Sequence, residues 1–142
     1  MTSKARAYSA EQQALNEKLL KMEKDLRARI VAKAADLLAQ PGGWTPLTRK
    51  RWASPGVPVA YSVGGALEEA LRQHSQHSGW GFVHTYRVVE AEVARDIPGS
   101  EVPSERLIIW ECLPSQTQEA VVAHLRGVSA RMDQSDAEAD AI

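Results

Sequence analysis

The sequence predicts a mainly α-helical protein with one folded domain of four or five helices. The chain has 142 residues, the commonest size for a single domain. Hydrophobic residues make up 44% of it and charged residues 25%, which is the composition of a globular protein. Apolar residues recur at steps of three and four over several long stretches. That spacing is the period of a helix that buries one face.

A long amino-terminal helix is predicted to end at Pro41-Gly42-Gly43. Ser9 and Gln12 have the spacing of a capping box, so we expect the helix to begin near Ala10. The part before Arg27 is rich in Glu, Lys and Gln. The apolar residues of this part form what we call the amino-terminal stripe, which consists of Leu15, Leu19, Met22 and Leu26. The stripe predicts either a projecting helix that pairs with a second copy or a solvated helix packed on its own domain.

Residues 44–59 are predicted to form an ordered loop or a short β-hairpin. Ser54-Pro55-Gly56 indicates a tight turn, and Val57 and Val59 alternate after it as in a strand. We expect Trp44 and Trp52 to anchor this segment, because each large ring can bury much apolar surface.

A second helix is predicted at about 63–74 and a third at about 82–97. Gly64 and Gly65 at the start of the second helix indicate a close backbone neighbour, for which we expect the first helix. The third helix follows the apolar period from Phe82 to Ile97, although the β-branched pair Val88-Val89 leaves a strand as an alternative.

The carboxyl-terminal part is predicted to hold a short element and a last helix. Residues 107–110 belong either to a short helix capped by Ser104 or to a buried strand. Ser115 and Gln118 have the spacing of a second capping box, which would start the last helix. We therefore divide the chain into a helical extension of coiled-coil type at 1–29, a compact helical domain at 30–132 and a disordered acidic tail at 133–142.

Charge and hydropathy exclude some classes of function. Seventeen basic and eighteen acidic residues give a net charge of -1, so no overall field attracts nucleic acid or anionic lipid. The longest apolar run is four residues, whereas a membrane span needs about 20. The start of the sequence lacks the apolar core of a secretory signal, and one cysteine cannot form an internal disulfide. We therefore expect a cytoplasmic protein without a membrane partner.

No residue set predicts a cofactor or a metal ion. His74 and His77 are three residues apart, but no cysteine or carboxylate at metal spacing accompanies them. Cys112 would need a nearby base to act as a nucleophile, and His124 is expected to lie about 12 Å along the last helix. We therefore expect Cys112 to be a buried small hydrophobe and assign no catalytic residue.

The basic and aromatic cluster of Arg49, Lys50, Arg51 and Trp52 is the strongest binding candidate on chemical grounds. Three adjacent cations can hold phosphates while the indole ring stacks on a base. The alternative is a solvated turn whose arginine stems lie across the tryptophan rings.

Short motifs give the chain a recognisable order: Gly43-Trp44, Gly56 with Pro58-Val59, Gly65-Ala66-Leu67, Trp110 and Thr117. This order resembles a family of small uncharacterised proteins of actinobacteria and their phages. In that family a Trp-Asn-Asp segment leads through Arg-Thr into the final helix. Here Glu111-Cys112 replaces Asn-Asp and Gln116 replaces Arg, so a site or structural network formed by that polar trio is lost or rewired. The resemblance covers roughly 30–128 and implies no activity, substrate or cofactor.

The resemblance therefore adds motif positions to the candidate residues. These positions are Trp44, Gly65, Trp110, Glu111, Cys112, Gln116 and Thr117. We expect a non-catalytic protein that binds another protein, with the amino-terminal stripe as a partner or homodimer surface. One alternative is a nucleic-acid accessory protein that uses residues 49–52. Another is a small enzyme with a cleft near Cys112, His84 and Glu111.

Overall fold

The order of elements along the chain confirms a mainly helical protein with a small β-hairpin. The computed structural model describes residues 2–74 and 80–141. The elements are α1 (Thr2–Ala39), β1 (Lys50–Ser54), β2 (Val57–Tyr61), α2 (Val63–His74), α3 (Trp80–Ala94), α4 (Pro103–Glu111) and α5 (Gln118–Ala141). His77 lies outside the described residues. No group of three or more metal-ligating side chains occurs in the part of the chain that the structure describes.

The hydrophobic core forms around the carboxyl-terminal half of α1. The fully buried side chains of this half are Ile30, Val31, Ala34, Ala35 and Leu38. They pack with buried residues of every later helix, including Leu67, Leu71, Val89, Val93, Leu107, Val121 and Leu125. Each fully buried Val, Leu or Ile side chain of this core stabilises the fold by about 1.5–3 kcal/mol. Of the apolar period that continues the amino-terminal stripe, Ile30 and Ala34 are buried, whereas the buried Val31, Ala35 and Leu38 lie beside that period.

Helix α5 lies antiparallel to α1 and is fixed to it at both ends of the contact. Near its start, the Gln118 side chain donates hydrogen bonds to the carbonyl oxygens of Leu38 (2.7 Å) and Gln40 (2.8 Å). One side chain thus satisfies carbonyl groups that the end of α1 leaves unpaired. Farther along α5, the Ser129 hydroxyl donates to the Ala28 carbonyl at 2.9 Å.

The predicted β-hairpin is present, and the two tryptophans of this segment differ in burial. Strands β1 and β2 pair antiparallel. Gly56 lies in the turn that joins them and has a φ of 81°. Trp44 forms a bridge with Tyr61 and packs partly buried against the core. Trp52 is 49% exposed, so the prediction that it also anchors the segment is wrong. The Lys50 ammonium lies 5.5 Å from the centroid of the Trp52 ring.

All three predicted capping residues are wrong, although the predicted start of the second helix near Val63 is confirmed. Helix α1 runs through Ser9 from Thr2, because good helix formers stand on both sides of that serine. Helix α4 begins after Val102 without a side-chain cap. Pro103 takes the first position there, since its ring presets the helical φ and it has no N–H to leave unpaired. Helix α5 is capped by Thr117, whose hydroxyl accepts the Ala120 N–H at 3.1 Å.

The other boundaries also differ from the sequence prediction. Residues 107–110 are helical, which settles the choice between helix and strand. Helix α3 ends at Ala94, and a turn then carries Ile97 into the core. The backbone of the predicted disordered tail is helical as far as Ala141, because its Ala and Glu residues favour that conformation. No helix among the described residues is long and apolar enough to cross a membrane.

Gly65 allows the hairpin to lie directly on α2. A Cβ atom at this position would stand 1.8 Å from the Arg49 carbonyl oxygen, which is far inside van der Waals contact. The close neighbour predicted from Gly64-Gly65 therefore exists, but it is the start of the hairpin rather than α1. At Gly64 the nearest atom is the Tyr86 hydroxyl oxygen, 3.0 Å from a built Cβ.

We expect Gly65→Ala to destabilise the protein by about 1–3 kcal/mol, because the methyl group forces the hairpin away from α2. Gly127→Ala is the matched control, since a Cβ at this exposed position of α5 has no neighbour within 4 Å. The control should gain about 0.5–1 kcal/mol from helix propensity. Urea denaturation followed by circular dichroism measures both changes. Equal midpoints for Gly65→Ala and wild type would contradict the close contact.

Candidate functional site

Glu111 is a nearly fully buried carboxylate at the end of α4, and only 3% of it is exposed. Its Oε1 accepts the Val63 N–H at 2.7 Å and the Trp44 indole N–H at 3.1 Å. Val63 is the first residue of α2, where an N–H has no partner within the helix. Glu111 therefore joins the loop after α1, the start of α2 and the end of α4.

Burial raises the pKa of the Glu111 carboxyl above its ordinary value, because the charged form loses water. The hydrogen bonds from Val63 and Trp44 favour the charged form and oppose this shift, but they do not cancel it. A carboxylate with a raised pKa is typical of ligand and catalytic sites, although structural networks also produce one.

A cavity of about 150 Å³ lies beside Glu111. Its polar lining includes Arg49, Ser62, Glu90 and Ser104 as well as Glu111, and its apolar lining is Leu47, Leu107 and Ile108. A second, more open cavity of about 340 Å³ shares Arg49, Tyr86, Glu90 and Ser104 with the first and extends to Phe82 and Val83. We call the two together the Tyr86 groove.

Tyr86 stands between the two parts of the groove. The Arg49 guanidinium lies 5.6 Å from its ring centroid and reaches its hydroxyl at 3.5 Å. Burial and the neighbouring negative charge of Glu90 raise the pKa of Tyr86 to about 12, while Arg49 acts in the opposite direction. The phenol is therefore neutral at physiological pH and offers the groove a hydroxyl group rather than a charge.

The predicted basic cluster does not form one open cationic face. Arg49 pairs with Glu68, and the Lys50 ammonium lies 2.6 Å from the Glu69 carboxylate in a largely buried pair. Burial alone would raise the pKa of Glu69, but hydrogen bonds from Lys50 and Gln73 outweigh it and lower this pKa. Arg51 and Trp52 are exposed on β1. Carboxylates of α2 therefore neutralise two of the three cations.

Most motif positions from the sequence meet around the end of α4. The Gln116 amide donates to the Trp110 carbonyl at 3.1 Å, and Thr117 caps the following helix. The Trp110 ring centroid lies 4.8 Å from that of His124, whose Nε2 contacts the Val93 carbonyl at 2.8 Å. Glu111 and Gln116 thus belong to a network that closes this end of the helix.

The residues of the enzyme alternative do not share one environment. Cys112 is exposed at the end of α4, so the prediction that it is a buried hydrophobe is wrong. The position after Glu111 ends the helix and points out of the core. His84 is exposed on α3, whereas Glu111 is buried.

Sequence reasoning missed two residues of the groove. Tyr86 was predicted only as a member of the core face of α3, and Glu90 was not singled out. The two are four residues apart on one helix and therefore lie on the same face. An acidic residue one turn after an aromatic one, on a face predicted to be buried, was the available signal.

These features define a helical protein in which α5 lies along α1 and a hairpin packs on α2. A buried carboxylate joins the loop after α1, the start of α2 and the end of α4. The model of the Family of unknown function (DUF6197) matches residues 22–131, and the chain therefore belongs to that family. No curated protein and no solved structure matches the chain. The match includes the whole Tyr86 groove, whereas Leu15 and Leu19 of the amino-terminal stripe precede it.

We expect Glu111→Gln to change the pH dependence of stability. The raised pKa means that the folded state binds this proton more tightly than the unfolded state does. The contribution of Glu111 to the free energy of unfolding therefore falls as pH rises from the ordinary pKa of about 4.3 through the folded-state pKa. Glutamine keeps an acceptor for Val63 and Trp44 but has no charge. Its stability relative to wild type should accordingly increase between pH 4 and pH 7.

Urea denaturation across this pH range measures the effect. Glu119→Gln removes one exposed carboxylate of α5 in the same way and gives the baseline for the loss of a surface charge. Glu111→Ala should be destabilised at every pH by about 1–3 kcal/mol for each donor left unpaired. The assignment of a raised pKa to Glu111 is contradicted if the stability of Glu111→Gln relative to wild type stays constant or decreases as pH rises.

Proposed function

We propose that this protein is a non-catalytic interaction protein that self-associates through the amino-terminal stripe of α1. The observation that carries the proposal is the exposure of the stripe. Leu15 and Leu19 are each 49% exposed, and Met22 is 58% exposed, on a helix of 38 residues. Only Leu26, at the carboxyl-terminal end of the stripe, packs against the core. Apolar residues that line up along one exposed face mark interaction surfaces more often than scattered ones do.

The position of α5 supports the same proposal. Helix α5 contacts α1 at the Ala28 and Leu38 carbonyls. An α-helix turns by about 100° per residue. Viewed along the axis of α1, the centre of the stripe therefore points roughly 170° away from the mean direction of Ala28 and Leu38. The stripe therefore faces away from α5.

A second copy of the chain fits this surface because the stripe is self-complementary. Its residues follow steps of four, three and four, the spacing of a coiled-coil seam. Glu11, Lys18 and Asp25 flank it at intervals of seven residues with alternating charge. Two antiparallel copies that pair all four stripe residues place Lys18 opposite Asp25 of the other copy. A two-fold interface of this kind uses the same patch twice.

The other sequence-based expectations have less support. The nucleic-acid alternative relies on Arg49, Lys50, Arg51 and Trp52, and the ion pairs of Arg49 and Lys50 weaken it. The motif resemblance supports an actinobacterial or phage origin. The single cysteine is compatible with a reducing, cytoplasmic location.

We expect the wild-type protein to approach twice its 15.6 kDa chain mass as its concentration rises in sedimentation equilibrium. Leu19→Glu should raise the dimer dissociation constant at least about tenfold, because it removes roughly 1.5–3 kcal/mol of apolar burial from the seam. Leu20→Glu is the matched control, since Leu20 has a similar exposure of 55% but lies off the stripe.

The control should leave the dissociation constant nearly unchanged. The proposal fails if the wild type remains monomeric up to millimolar concentration. It also fails if Leu19→Glu and Leu20→Glu weaken the dimer equally, because the stripe would then not be the interface.

A further inference from the structure

The Tyr86 groove contains a polar atom that the fold does not use. Both hydrogen bonds to Glu111 reach Oε1, and within residues 2–74 and 80–141 no donor is found on Oε2. Glu111 is nearly fully buried and lines the cavity. The cavity therefore offers a carboxylate oxygen to a ligand.

The other charged groups of the cavity determine what kind of ligand group fits. Glu90 on α3 adds a second carboxylate. Arg49, the cation that lines this cavity, already pairs with Glu68 and contacts the Tyr86 hydroxyl. Around Glu111 the cavity thus has two carboxylates and one guanidinium that is already paired, together with the hydroxyl groups of Ser62 and Ser104, which can also accept. An ammonium group, with three donors, no acceptor and a positive charge, is complementary to them.

Part of the cavity wall is apolar. Leu107 lies at its base, Ile108 is half exposed, and Leu47 stands at the mouth with 77% of its surface exposed. Leu47 has a φ of 70°, a left-handed conformation that is unfavourable for a residue with a side chain. Such conformations concentrate where loops clamp ligands. A volume of about 150 Å³ suits a ligand of about the size of benzene, or an aliphatic stem of roughly four to six carbons.

We propose that the Tyr86 groove binds a primary ammonium group on an aliphatic stem, with the ammonium at Glu111 and Glu90 and the stem against Leu47 and Ile108. A free alkylamine and a lysine side chain of a peptide both have this chemistry. The site lies within the family match and does not depend on self-association through α1.

Titration of ¹⁵N-labelled full-length protein with n-butylammonium chloride, followed by heteronuclear NMR, tests the proposal. We expect saturable shifts of the amide signals of Leu47, Gly64 and Ile108. 1-Butanol, which has the same stem without charge, should bind at least about tenfold more weakly, and sodium butyrate should not bind. Absence of saturable shifts with n-butylammonium overturns the proposal, and so does equal binding of 1-butanol.

Variants locate the ammonium group. Glu111→Gln keeps an acceptor for Val63 and Trp44, and it should weaken n-butylammonium at least about tenfold. Glu119→Gln, which removes a carboxylate from α5, should leave the affinity unchanged. If Glu111→Gln does not fold, Glu90→Gln serves the same purpose and should weaken binding in the same direction. Unchanged affinity in a folded variant of either residue overturns the assignment.

Two peptides identify the source of the amine. One has a central lysine between leucines, and in the other the neutral isostere norleucine replaces the lysine. The site is assigned to a lysine of a protein partner if two results are obtained. The lysine peptide must bind at least about tenfold tighter than n-butylammonium, and the norleucine peptide must not bind. A lysine peptide that binds more weakly than n-butylammonium assigns the site to a free alkylamine.

Discussion

The Glu111 carboxylate is the interaction on which the arrangement of the smaller elements depends. It accepts hydrogen bonds from Trp44, 67 residues away, and from Val63, 48 residues away. Trp44 in turn bridges to Tyr61 at the end of the hairpin. One carboxyl group thus fixes the loop after α1, the direction in which the chain enters α2, and the end of α4. The partial positive charge at the start of a helix favours an acceptor at this place.

The sequence predicted the parts of the fold that repeat. The apolar period located the buried face of α5, because a helix packed on a core must show its period over several turns. The starts of helices were not predictable in the same way. Ser9 and Ser104 are good caps in isolation, but a capping motif of four residues has little information when the flanking residues favour helix equally well. Thr117 and Pro103 were therefore overlooked.

The site was less predictable than the fold because its residues are far apart in the sequence. Glu111 was singled out only as a motif position, and no pattern in the sequence connects it to Trp44 or Val63. Tyr86 and Glu90 look like ordinary positions of an amphipathic helix. Tyr86 and Glu90 line a groove only because Arg49 approaches the start of α2. That approach requires the glycine at position 65. Such a convergence depends on tertiary packing, which local periodicity does not reveal.

Burying the Glu111 charge costs stability at neutral pH, and a neutral amide could accept the same two hydrogen bonds without that cost. The carboxylate therefore supplies something that the fold alone does not need. Its raised pKa measures how poorly the surroundings solvate the negative charge, and the same deficit increases the attraction of the cavity for a cation. The desolvated charge of Glu111 therefore has two consequences. It destabilises the empty site, and it increases the affinity of the site for a positively charged ligand.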